Sequence, residues 1–361
     1  MKRKIKLFDP SIGEEESKSL EHVLKSKLWA SGTGQGKVLE FENKFREYVN
    51  SKTCIAVNSG TAALNLALSI SDIKNKEVIL PSMTFVATAN AVIINGGKPV
   101  FVDVDPNTLN IDFEKIEDSI SKKTKVILPV HFGGLPCALD KIHSIAKKYN
   151  IKIIEDAAHA SGTRYKNKKI GSHGMAVCFS FHPIKNLAMP TGGLISINDQ
   201  NYKKIRELLL ARRWCGITDR RGTKYDVKEI GNNYYMNEFS AAIGLTQLKK
   251  LDKLNSIRRK IAKRYYEEIK LDTKMPYDKN CSYHLYWILV KNRNKFIKKL
   301  SKYKIETGTH YRPIHTFSFY KSKIKLKITE NVGKSIVTIP CHPNLKDMDI
   351  DKIIKLTNRF S

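Results

Sequence analysis

From residue 54 to residue 181 the chain alternates short β-rich runs with helical stretches, and this alternation limits the fold more than any other feature. The runs are CIAVNS (54–59), EVILPS (77–82), PVFVDVD (99–105), KVILPV (125–130), KIIED (152–156) and MAVCFSF (175–181). Helical segments such as TAALNLALSI (61–70) and CALDKIHSIAKKYN (137–150) lie between them. Strands separated by helices of that length need crossover connections, so the pattern predicts an α/β fold whose mostly parallel sheet is covered on both faces. Over residues 238–270 apolar side chains recur at helical spacing, which predicts one long amphipathic helix. A smaller α+β segment follows, with SYHLYWILV (282–290) as a strand and NKFIKKLSKY (294–303) as a helix. The expected division is a large domain over 1–250 and a small one over 251–361.

Composition excludes several classes. At 41% hydrophobic and 27% charged residues the chain has material for a sizeable core and no signature of disorder. The net charge of +29 would suit nucleic acid or an anionic substrate. Basic residues are scattered from Lys2 to Arg359, however, and lysine far outnumbers arginine. A nucleic-acid surface should cluster, so no nucleic-acid partner is expected, while an anionic substrate still benefits from the field. The six cysteines are widely spaced without a CxxC pair, so neither a disulfide framework nor a metal site is expected. MKRKIKLFDP lacks the apolar core of a signal peptide, and no apolar run approaches the roughly 20 residues of a membrane span. The expected setting is the cytoplasm, with no membrane association.

Three segments at the ends of predicted strands carry chemistry, which is where open α/β sheets place ligands. NSGTAAL (58–64) is a strand-to-helix turn that offers backbone N–H groups and a hydroxyl to a phosphate, although SGT is also a common helix cap. IIEDAAHA (153–160) sets Asp156 just beyond an apolar strand, as a helix cap, a metal ligand or the partner of a cationic ring nitrogen. Glu155 competes for those roles, and His159 lies about one helical turn further on. CFSFHPIKN (178–186) brings Ser180, His182 and Lys185 into one tight segment after a strand. Desolvation there lowers the pKa of Lys185, as a nucleophilic amine requires. A phosphate turn, an acid, then a serine and a lysine are together what pyridoxal 5′-phosphate needs: donors for its phosphate, a carboxylate for its ring nitrogen and an amine for its aldehyde.

In these motifs the chain closely resembles the DegT/StrS family of pyridoxal-phosphate-dependent nucleotide-sugar aminotransferases. The likeness runs in order from WASGTGQGKVLEFENKF, at Trp29, through SGTAAL, PSMTFVATANA, VFVDVDPNTLNID, PVHFGG, EDAAHA, SFHPIKN, NNYYMNEFSAAIGLTQL and GTHYRPIH to IPCHPNL. It implies the aspartate-aminotransferase-like architecture known as fold type I. It also implies amino transfer from L-glutamate to a nucleotide-linked keto sugar, in the biosynthesis of amino sugars for cell-surface polysaccharide. Lys185 would be the Schiff-base lysine and proton shuttle, Asp156 would keep the ring nitrogen protonated, and His159 would lie near the ring hydroxyl. Gly60, Thr61, Ala62 and Ser180 would bind the phosphate, and Phe85 would stack on the ring. Asn233 would reach the phosphate of a neighbouring subunit, making a homodimer with shared sites. His310, Tyr311 and His315 would lie at the sugar-nucleotide end.

The chain departs from the family where LTTGEGG is usual: it reads LAMPTGG, with Thr191 in place of the acid. RNHG becomes Arg213-Trp214-Cys215-Gly216, and NYR becomes Asn233-Tyr234-Tyr235. These changes, from Ala188 to Thr191 and at Cys215 and Tyr235, are expected nearer the substrate than the cofactor. GTGQG (32–36) follows a helical stretch, so it is read as a loop at the mouth of the site and not as a dinucleotide fingerprint. Two rivals to amino transfer remain. One is a sugar dehydratase on the same scaffold, in which a histidine generally replaces the lysine. The other is a non-catalytic nucleic-acid-binding relative, supported by charge alone.

Overall fold

The computed structural model describes residues 3–361. Its large sheet takes strands β1 (Thr53–Val57), β2 (Glu77–Pro81), β3 (Lys98–Val102), β4 (Thr124–Ile127) and β5 (Lys152–Asp156). A small hairpin, β6 (Arg164–Tyr165) and β7 (Lys168–Lys169), precedes the last two sheet strands, β8 (Ala176–Ser180) and β9 (Gly193–Ile197). The order across the sheet is β1-β9-β8-β5-β4-β2-β3. Only β9 runs against the others, pairing antiparallel with both β1 and β8. The reason is local. No crossover helix separates β8 from β9; the chain doubles back through residues 181–192, with Phe181 N–H bonded to the Gly192 carbonyl and Met189 N–H to that of Phe181. The Lys185 segment is therefore a loop pinned between two adjacent strands.

β1, β2, β5 and β8 all point the same way, so their C-terminal ends share one edge of the sheet. Close packing there depends on Gly193, where a Cβ would lie 2.3 Å from the Ser59 carbonyl oxygen. The sheet is buried on both faces, as the near-continuous apolar runs require: one face packs against Phe41, Phe45 and Leu251, the other against Leu64, Leu68 and Val92.

The long helix forms as expected, over Glu238–Glu268, capped by Asn237, whose side chain accepts from Ser240 N–H. It crosses the expected boundary near residue 250 without interruption. Its first half packs Ala241, Leu245 and Leu251 into the large core, and its second half packs Ile261, Ala262 and Tyr265 into the C-terminal core. That second core surrounds the antiparallel pair Tyr286–Leu289 and Ile336–Ile339, and it also takes in Ile5 near the N-terminus. The strand expected over 282–290 is therefore shorter. Tyr283 adopts φ 47°, and the Ser282 hydroxyl donates to the His159 carbonyl at 3.0 Å, so residues 282–285 are tied to the large domain.

Candidate active site

A cleft of about 400 Å³ lies at that shared strand edge. Larger hollows, of about 540 and 550 Å³, lie elsewhere and gather none of the residues singled out above.

One wall is the turn after β1. Ser59 is the extended N-cap of the helix Gly60–Ser69, and its hydroxyl accepts from Ala62 N–H at 3.1 Å. That bond occupies the Ala62 amide, and Ala62 is buried, so Ala62 offers nothing to a ligand and the expectation for it is corrected. The amides of Gly60 and Thr61 have no acceptor among the described residues and begin a helix, an arrangement suited to an anion. Ser180 stands against them: a Cβ on Gly60 would lie 2.6 Å from Ser180 Cβ. Only glycine leaves that cradle open.

Asp156 ends β5 on the same edge and forms another wall of the cleft. It is 4% exposed and accepts from Thr88 Oγ1 at 2.8 Å and from Ala158 N–H at 3.1 Å. Burial raises its carboxyl above the ordinary range, opposed by those two bonds and by the charge of Lys185. The ambiguity with Glu155 is settled by strand alternation. Glu155 points to the other face, where His131 Nε2 lies 2.9 Å away and Gly174 N–H donates to it. His131 Nδ1 accepts from Cys137 N–H, which leaves the ring proton on Nε2 for Glu155.

Lys185 faces Asp156 from the β8–β9 loop. Desolvation lowers its pKa to about 8, with the Asp156 charge pulling the other way. His159 Nδ1 accepts from Gly133 N–H at 3.2 Å, so its proton lies on Nε2, 3.2 Å from the Tyr311 hydroxyl. Burial, and then the charge of Lys185, hold this imidazole neutral. Burial also lowers His310 to about 4, and its Nδ1 lies 2.8 Å from Thr338 Oγ1. Phe85 is 56% exposed, a large aromatic ring left open at the cleft with Tyr311 beside it at 6.0 Å.

Thus Gly60, Thr61, Phe85, Asp156, His159, Ser180, Lys185, His310 and Tyr311 line one cleft. His315 does not join them. Its Nδ1 lies 2.7 Å from Ser82 Oγ, just past β2, and its Nε2 3.4 Å from Glu330 in the helix Lys327–Ser335, so both nitrogens are spent on structural contacts. Asn233 is exposed outside this chain's cleft, its carbonyl accepting from Asn58 Nδ2 at 3.1 Å. Of the departures from the family pattern, only Thr191 lines the cleft. Ala188 and Met189 are core residues, while Trp214 packs against Tyr235 and over Gly32. The GTGQG run is consequently not a loop at this cleft; Gly32 and Gly34 are held by Trp214 and Arg213. Sequence reasoning missed His284, whose Nε2 lies 3.4 Å from Lys185 Nζ. It stands 99 positions away in a run that reads as a buried strand, so nothing local marks it.

The donor set fits pyridoxal phosphate: two free amides with a hydroxyl and no room for a side chain, a buried carboxylate, and a desolvated lysine between them. Fold and site together define an α/β enzyme of the pyridoxal-phosphate-dependent class. The chain belongs to the DegT/DnrJ/EryC1/StrS aminotransferase family, whose model matches residues 10–357. The spore coat polysaccharide biosynthesis protein SpsC of Bacillus subtilis is 37% identical over 96% of this chain and 94% of its own. Among solved structures, Helicobacter pylori PseC, an aminotransferase involved in the biosynthesis of pseudoaminic acid, superposes with a TM-score of 0.93. It is 29% identical, with 99% of each chain covered. The PLP form of the putative sugar aminotransferase Spr1654 of Streptococcus pneumoniae gives 0.92 at 27% identity, covering 99% of this chain and 98% of that one. The protein is therefore an aminotransferase with pyridoxal 5′-phosphate as its cofactor.

Proposed function

We propose that the protein transfers an amino group from L-glutamate to a nucleotide-linked keto sugar, as a cytoplasmic homodimer, to supply an amino sugar for cell-surface polysaccharide. The observation that carries this is the convergence of Asp156, Lys185 and the free Gly60–Thr61 amides on one cleft. SpsC is named for polysaccharide biosynthesis and PseC for that of an amino sugar acid, which supports a sugar as acceptor. The net charge of +29 favours the approach of an anionic, nucleotide-bearing substrate. Among the described residues no helix is long and apolar enough to cross a membrane.

The cofactor, when bound, supplies a carbonyl to carry the amino group and a ring that spreads the negative charge left on carbon. The residues of the chain do the rest. Gly60, Thr61 and Ser180 hold the phosphate, and Asn233 reaches that of the partner subunit. Asp156 keeps the ring nitrogen protonated, Phe85 stacks on one ring face, and His159 stands by the ring hydroxyl with Gly133 N–H fixing its tautomer. Lys185, freed as an amine, would take the proton from the donor's α-carbon and place it on the carbon that bore the cofactor's aldehyde, and would move it the opposite way when the sugar is aminated. His310 and Tyr311 meet the sugar.

The test is a panel of nucleotide keto sugars incubated with glutamate and read by mass spectrometry. An aminated product is the expected result. A deoxygenated product without amino transfer would establish dehydration instead.

A further inference from the structure

We propose that His284 is a positioning residue that receives the Lys185 side chain whenever that lysine is not bonded to the cofactor, accepting a hydrogen bond from its protonated amine at Nε2. The inference rests on the reading of Lys185 as the cofactor-bearing lysine.

Geometry carries it. His284 Nε2, 3.4 Å away, is the side-chain hydrogen-bond partner of Lys185 Nζ. The imidazole is 4% exposed and is held between two rings, stacked on one and tilted against the other. Phe8 lies at 5.4 Å and 16°, and His159 at 4.4 Å and 42°. Its own segment is anchored to the large domain through Ser282. A fixed nitrogen beside a lysine that must let go of one partner and return to it defines a second resting place for that lysine.

The surroundings decide which atom donates. Lys185 meets Asp156 at the end of β5, His159 just after it, His182 on its own loop, His310 beside Tyr311, and His284. Behind His284 stands Arg258 of the long helix, 6% exposed, bonded to Asn255 Oδ1 at 3.3 Å. Asp156 acts on Lys185, while Asp9, which lines the adjoining hollow with His284, Arg258, Cys341 and His342, is paired with Lys6 at 2.9 Å and Asn344 at 3.1 Å. Burial and the cations Lys185 and Arg258 therefore keep His284 neutral, its pKa well below the ordinary 6.5. With its pKa brought to about 8, free Lys185 is mostly ammonium at neutral pH and has only hydrogens to offer. His284 must then present a lone pair at Nε2. Accepting from the ammonium stabilises the proton-carrying lysine, which is the form it takes halfway through moving a proton between donor and acceptor. His284 sets how readily Lys185 holds that proton and where it waits.

The experiment follows capture of pyridoxal 5′-phosphate by the full-length protein freed of cofactor, at a series of pH values. Borohydride stops the reaction, and the adduct is counted on the Lys185 peptide by mass spectrometry. Only the amine reacts, so the rate rises with pH through the lysine pKa. His284→Phe keeps the stacked ring and removes the acceptor, and His284→Gln keeps an acceptor. The expected result is a profile shifted down by at least about half a unit in the Phe variant, making capture at neutral pH about threefold faster. The Gln variant should follow wild type. A Phe profile that overlays wild type, with the adduct still on Lys185, overturns the role of His284 alone; an adduct absent from Lys185 overturns the underlying reading. A second measurement needs no His284 variant to fold. In cofactor-free wild type, an imidazole nitrogen resonance of a buried, non-titrating histidine should shift as Lys185 loses its proton, and that shift should vanish in Lys185→Met. No lysine-linked shift overturns the proposal.

Discussion

Replacing Thr88 by valine isolates the carboxylate on which the cofactor reading depends. Thr88 has one hydroxyl proton and two acceptors in reach, Asp156 Oδ2 at 2.8 Å and the Phe85 carbonyl at 3.1 Å. The shorter contact is to the charged oxygen, so the proton goes to Asp156, and Thr84 Oγ1 at 2.9 Å donates to Thr88. Both Thr88 and Asp156 are buried, at 1% and 4% exposed. Thr88→Val keeps the β-branched shape and deletes the donor. A hydrogen bond to a charged group contributes about 1.5–3 kcal/mol, and one pKa unit corresponds to about 1.4 kcal/mol. The Asp156 carboxyl, already raised by burial, should rise by about one to two units more. The sign is fixed: a protonated Asp156 cannot pair with a protonated ring nitrogen, so affinity is lost on the acid side, and in the variant it is lost at higher pH. The assay is equilibrium dialysis of pyridoxamine 5′-phosphate against the full-length protein across the acid and neutral range. That ligand has no aldehyde, which keeps Lys185 chemistry out of the signal. An acid limb displaced upward by about one unit or more is expected. An acid limb that coincides with wild type would refute the reasoning, because Asp156 would then not be the group that titrates.

Other outcomes follow from the packing. Gly60→Ala drives a Cβ to 2.6 Å from Ser180 Cβ and should cost about 1–3 kcal/mol in denaturant unfolding, with at least about tenfold weaker cofactor binding. Arg213→Ala removes one of the two arginines paired with Glu42, the buried one at 2.9 Å, leaving Arg206 at 3.0 Å, and should lower stability by about 1.5–3 kcal/mol in the same assay. His315→Leu should lower the melting temperature, through two lost hydrogen bonds worth about 1–3 kcal/mol together, and leave KM for the sugar unchanged. A tenfold rise in that KM, or more, would return His315 to the substrate site.

Much of this was legible in the sequence because it is local. Helix spacing between the strand runs called for a mostly parallel sheet, and motifs just past strand ends landed on one edge of it. β9 escaped notice because its direction follows from a missing crossover helix, which no composition announces. Ala62 was misjudged within its own motif, since SGT is both an anion turn and a cap, and here the Ser59 hydroxyl consumes the third amide. His315 and His284 exchanged importance for one reason: each role depends on a partner far along the chain, Ser82 for one and Lys185 for the other. The divergent RWCG segment looked like substrate chemistry but holds the Gly32 loop and the buried Arg213–Glu42 pair. Spacing could not separate a patch that binds from one that packs.

The most direct measurement of the central claim is a single turnover without amino donor. Protein loaded with pyridoxamine 5′-phosphate is mixed in turn with each nucleotide keto sugar of a panel, and the sugar is weighed by mass spectrometry. The account expects about one equivalent of aminated sugar per protomer from wild type, the limit set by one cofactor per site, and none from Lys185→Ala. An unchanged sugar mass with every keto sugar tried, or normal amination by the lysine variant, would contradict it.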